Sequence, residues 1–143
     1  MSSWWLAAPR RGPWYLLPIG LMVTWQLVSS IPALAYYHDH GIAADHSVSG
    51  QMSLRLNALG SVTQNVAHIP AFFLVAWAWC WALSSKRGPK RAALRAFMIT
   101  GLFGVANELS QLVVPYRQAS MMDVMANLTG ASLAVLVHRA LSA

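Results

Sequence analysis

The stretch from Glu108 to Gly130 reads ELSQLVVPYRQASMMDVMANLTG. It decides the fold, because one apolar helix ends and another begins inside it. Pro115 has no backbone N–H to donate and restricts the residue before it, so a helix arriving through Leu112 and Val113 stops near Val114. Ser120-x-x-Asp123 has the form of a helix start, a capping serine with an acid three positions on. The connection between them, Pro115 to Ser120, is about six residues, and so short a link makes antiparallel neighbours of the two helices.

The same stretch holds Glu108 and Asp123, two of the four acids in the chain; the others are Asp39 and Asp45. Their scarcity follows from the composition, which is 57% hydrophobic and 10% charged over 143 residues. A soluble domain carries about 25% charged residues, so the natural solvent for this chain is a bilayer. Its length fits one domain, residues 1–143. The net charge of +6 does not point to nucleic acid, because five of the ten basic residues crowd into Lys86, Arg87, Lys90, Arg91 and Arg95. That cluster reads as a membrane-flanking loop, not as a solvated basic face. One cysteine, Cys80, excludes an intramolecular disulfide and a multi-cysteine metal site.

A spanning helix needs about 20 mostly apolar residues. Four segments meet this, giving an all-α, polytopic, antiparallel bundle of four transmembrane helices: Trp14 to Tyr37, Asn65 to Leu83, Ala92 to Val114 and Met121 to Val137. Pro18, Pro32 and Pro70 fall near the ends of these spans, where a missing donor matters least. Gly101 and Gly104 give a neighbour room to approach, and Gln26 in the first span needs a polar partner inside the bundle. Arg10 and Arg11, the five-residue cluster and Arg139 lie on one side, which places both termini in the cytoplasm. Trp77, Trp79 and Trp81 then belong to an inner aromatic belt. The start also has a signal-peptide look, with Ala33 to Ala35 as a cleavage site, but its apolar run is too long for that reading.

Depth follows from rise. Glu108 lies seven positions before Pro115 and Asn127 seven after Ser120, so both are expected roughly 10 Å below the outer end, with Gln111 and Asp123 as a shallower layer. Glu108 and Gln111 share one face of their helix; Asp123, Asn127 and Gly130 share one face of the next. His68, at the outer start of the second span, reaches a similar depth, and Arg117 lies in the turn above. Lipid exposure of these groups is costly, so the faces turn toward each other. A plainer account makes Asp123 a cap paired with Arg117, and Asn127 an interhelical clip. Glu108 is the residue hardest to reduce to structure. In the first outer connection, His38, Asp39, His40, Asp45 and His46 are metal-capable types, but their spacing fits no zinc pattern and they read as a solvated loop. The remainder of that connection has the composition of an interfacial segment. No cofactor and no metal site is expected. His138 reads as an interface residue at the inner end.

The pattern Glu108-x-x-Gln111-x-x-x-Pro115-x-Arg117, followed by Ser120-x-x-Asp123-x-x-x-Asn127-x-x-Gly130, resembles the signature of VanZ-like membrane proteins. The segment NVAHIPAFFLVAW, with His68, is similar to a second block of that family. The resemblance implies a small bacterial inner-membrane protein and a setting in cell-envelope chemistry, linked to glycopeptide (teicoplanin) resistance. Two functions compete. In the first, the outward-facing polar site binds an anionic lipid headgroup or lipid-linked envelope intermediate, with Arg117, Gln111, Asp123 and Asn127 as binding residues. If that site is catalytic, Glu108 is the general base, His68 the acid or second base, and Arg117 stabilises developing charge. In the second, the polar layer is a structural lock in a scaffold that binds a partner in envelope synthesis. Four spans without an internal repeat offer little machinery for transport.

Overall fold

The computed structural model describes residues 6–9, 12–31, 48–58, 61–117 and 119–142. Among these are five helices and no strand: α1 Leu16–Ser29, α2 Val48–Ala58, α3 Ser61–Arg87, α4 Pro89–Gln111 and α5 Met121–Leu141. Three stretches are long and apolar enough to cross a membrane, Val66–Ser84, Pro89–Gln111 and Met121–Leu141, with 19, 23 and 21 residues. At about 1.5 Å per residue each spans roughly 28–35 Å, close to the hydrocarbon thickness. The expected first span is represented by α1, which has 14 residues and reaches only about 21 Å. The rest of that span, from Pro32, lies outside the described residues, as do His38, Asp39, His40, Asp45 and His46.

Small side chains set the packing of α3, α4 and α5. Ala76, Ala131 and Ala134 form one buried cluster under Phe73, Trp77 and Phe97. Cys80, Ala93 and Ala96 form a second under Trp79 and Val135. Leu74, Leu94, Leu102 and Leu136 point outward and are exposed, as lipid-facing residues are. Lipid gives no hydrophobic drive between helices, so close approach and interhelical hydrogen bonds carry the association. Gly130 shows the closest approach: a Cβ there would lie 2.2 Å from Ile69 O of α3. On α4, a Cβ at Gly104 would meet Asn127 Cβ at 3.1 Å, and one at Gly101 would meet Leu128 Cδ2 at 3.3 Å. Both glycines therefore do open α4 to α5.

Polar bonds attach α1 to α4. Gln26 finds the partner it needs, donating from Nε2 to Ser110 Oγ at 2.8 Å. Ser29 Oγ donates to Asn107 Oδ1 at 2.6 Å, and both residues are buried. Three expectations change. Pro70 is interior to α3, because that helix begins at Ser61 and not at Asn65; its ring withdraws the donor that the Val66 carbonyl would otherwise receive. His138, in the last turn of α5, is fully buried against protein instead of exposed. Its ring meets Leu6 O through Nε2 at 2.8 Å and lies edge-on to Trp77. The tryptophans face protein as well as membrane: Trp81 packs edge-on to Trp14, and its carbonyl accepts from Ala8 N at 2.9 Å. The segment at residues 6–9 thus docks onto the basic end of the bundle, opposite the end that holds Glu108.

Candidate functional site

The site is built where α4 stops. The helix ends at Gln111, three residues before the expected Val114. Leu112, Val113 and Val114 continue as tight turns, donating to Leu109 O, Ser110 O and Gln111 O. Pro115 accounts for the loosening, since it biases Val114 away from helical backbone. Tyr116 then adopts a left-handed conformation with φ 58°, which is uncommon for an aromatic residue. The turn closes at Ser120, the N-cap of α5, whose side chain accepts from Asp123 N at 3.3 Å. This is half of the expected capping box.

The other half comes from a neighbouring helix. In a capping box the acid reaches back to the backbone N–H of the cap. Here Ser120 N donates to Glu108 Oε2 at 3.2 Å. Glu108 therefore does have a capping role, made across helices, which the sequence did not suggest.

Early termination also moves the register. Glu108 stands in the last turn of α4, about 4–5 Å from its end instead of roughly 10 Å. Its level on α5 is that of Ser120 and Asp123, and Asn127 lies a turn deeper against Gly104. The expected layers of Glu108 with Asn127 and Gln111 with Asp123 are replaced by this arrangement.

Asn127 instead meets His68: its Oδ1 lies 2.8 Å from His68 Nδ1. A carboxamide oxygen only accepts, so Nδ1 is the donor in this bond. The His68 ring is held edge-on by Trp25 at a centroid distance of 5.0 Å and stacked over Phe72 at 6.3 Å. One ligand-type atom from each of His68, Glu108 and Asp123 lies within 4.8 Å of the others, and all three residues are buried. Three helices, α3, α4 and α5, supply them.

The remaining site residues divide. Gln111 is buried on the Glu108 face, as expected, with Nε2 3.5 Å from Glu108 Oε1. Arg117 is half-buried in the turn, and its Nε donates to Ile31 O at 3.1 Å, tying the turn to the end of α1. Asn107 belongs to the site and was missed. It is fully buried, with Nδ2 3.4 Å from Glu108 Oε1 while its own Oδ1 takes the Ser29 hydroxyl. The rule that singles out Glu108, a polar group inside an apolar span, applies equally to Asn107. Asn127 Nδ2 is buried and has no hydrogen-bond partner.

An all-helical membrane-type chain with a buried His–carboxylate–amide cluster at one end is thus defined. The family model described as VanZ/LLP1 matches residues 15–142, and the chain belongs to that family. An uncharacterized protein of Schizosaccharomyces pombe is 32% identical over 78 residues, covering 54% of this chain and 47% of the relative. The chain accordingly spans about half the length of that relative. No solved structure matches.

Proposed function

We propose that the polar cluster binds the anionic headgroup of a membrane lipid or lipid-linked envelope intermediate. The observation that carries this reading is the half-buried Arg117 in the α4–α5 turn, beside the N-terminus of α5 and above the group that His68, Glu108 and Asp123 form from three helices. A glue for helices needs one or two polar pairs; a carboxylate pair with an imidazole is a more expensive arrangement than packing requires. Arg117 commits its Nε to Ile31 O, and the terminal amino groups of its fork are those that would meet phosphate or carboxylate. The N-terminus of α5 adds backbone donors and the positive end of a helix dipole.

In this account α1 belongs to a fourth span, and the four spans run antiparallel. The basic residues Lys86, Lys90, Arg91, Arg95 and Arg139 lie at the cytoplasmic surface, with both termini, and the cluster faces outward. In a bacterium that membrane is the inner one, and the link to glycopeptide resistance would run through an envelope lipid. A relative in Schizosaccharomyces pombe favours a headgroup that eukaryotic membranes also contain over a precursor of the bacterial wall.

A second reading has its own support. His68 with Asn127, Ser29 with Asn107, and Glu108 with Ser120 N satisfy one another across helices. On that basis the cluster is a lock within a scaffold protein. Native mass spectrometry of the full chain extracted from membranes separates the two. Under the headgroup reading, wild type retains anionic lipid, and Arg117→Ala loses it while remaining folded and monodisperse. Equal lipid retention by both proteins would favour the lock.

A further inference from the structure

We infer that His68, Glu108 and Asp123 form a binding site for a first-row divalent cation such as Zn2+ or Mn2+. The cation site stands on geometry alone; only its use in holding a headgroup rests on the reading above. The donors are one imidazole nitrogen and two carboxylates, within 4.8 Å of one another and all buried. Metal–ligand bonds of about 2.0–2.2 Å place neighbouring donors roughly 3–3.5 Å apart, so side-chain movements of about 1 Å close the shell. A mixed nitrogen and oxygen set suits first-row metals better than Ca2+ or Mg2+, which prefer oxygen alone.

Charge argues the same way. Glu108 takes its hydrogen bonds from Asn107 Nδ2, Gln111 Nε2 and Ser120 N, all neutral donors. Two carboxylates side by side in a low-dielectric interior repel, and a divalent cation neutralises both.

The second independent observation is the setting of His68. Metal-binding histidines donate their other ring N–H to an oxygen, which fixes tautomer and ring plane. Asn127 Oδ1 does this at 2.8 Å, and Trp25 and Phe72 fix the ring plane. Asn127 is 1% exposed, so this support for the ring is held inside the bundle. Three protein donors leave coordination positions open, as in sites that bind water or a phosphate oxygen. No local motif announces the site, because each donor comes from a different helix.

The test uses the full chain in detergent, stripped with EDTA and titrated with Zn2+ by calorimetry and with Co2+ by visible absorption. One ion per chain is expected, with Co2+ ligand-field bands. Asp123→Asn and His68→Gln should abolish both signals. Asn127→Ala should weaken binding about 10–100-fold, and Asn127→Asp, which still accepts from Nδ1, should restore it. A variant with His38, His40 and His46 all changed to Gln should bind as wild type does. Absence of binding by wild type overturns the inference. So does unchanged affinity in Asp123→Asn, or loss of binding in the loop variant. Lipid retention measured in EDTA keeps the two proposals apart: lipid held without metal binding defeats only the cation site, and metal bound without lipid defeats only the headgroup reading.

Discussion

Gly130→Ala is the substitution whose effect can be worked most fully from the structure. The new methyl would sit 2.2 Å from Ile69 O and 3.0 Å from Phe73 N, both backbone atoms of α3. Backbone cannot swing aside as a flexible side chain can, so α3 and α5 must part by roughly 1 Å, an overpacking change that costs about 1–3 kcal/mol. The His68 to Asn127 bond lies one turn away at 2.8 Å. The same movement carries it toward the limit of a hydrogen bond, with a further loss of about 0.5–1.5 kcal/mol. Better helix propensity returns at most about 1 kcal/mol. The net destabilisation is about 0.5–4.5 kcal/mol, or roughly 2–16 °C in the thermal midpoint. Fluorescence-detected thermal unfolding of the detergent-solubilised chain measures it. Gly20→Ala is the matched control, since nothing lies within 4 Å of a Cβ there. It should leave the midpoint unchanged or raise it by about 2–4 °C. A Gly130→Ala protein as stable as wild type would refute the close approach of α3 and α5.

The other expectations are brief. Ser120→Ala removes the cap that accepts from Asp123 N and should cost about 0.5–2 kcal/mol, whereas Ser120→Gly costs only a few tenths, by the same unfolding assay. His138→Phe keeps the ring against Trp77 but loses the bond to Leu6 O. Residues 6–9 should then show faster hydrogen exchange while the α4–α5 turn keeps its wild-type rate.

Much of this arrangement was legible along the chain. The i, i+4 and i+7 spacing of Asp123, Asn127 and Gly130 placed them on one inward face, and all three are buried. Glu108 and Gln111 shared a face for the same reason, and Gln26 needed the partner that Ser110 supplies. The register was not legible. Pro115 forbids helix only locally, and the number of residues that unwind before it depends on how the turn packs. Three residues of early unwinding set Glu108 against Ser120 and Asp123, and that alone changes which side chains meet. The burial of His138 was not legible either. Its ring meets Leu6 O and Trp77, and the first of these is a contact between opposite ends of the sequence.

The most direct test of a functional cluster is the thermal midpoint of Glu108→Gln against wild type, both in EDTA. The glutamine oxygen still accepts from Ser120 N, and the carboxamide of Gln111 can turn over to meet the new amide while Asn107 stays bound to Ser29. One of two adjacent buried carboxylates is neutralised, and groups kept for function are often costly to stability. The midpoint should therefore stay within about 2 °C of wild type or rise. A fall of about 5 °C or more would show that the carboxylate holds the helices together, and would contradict the account.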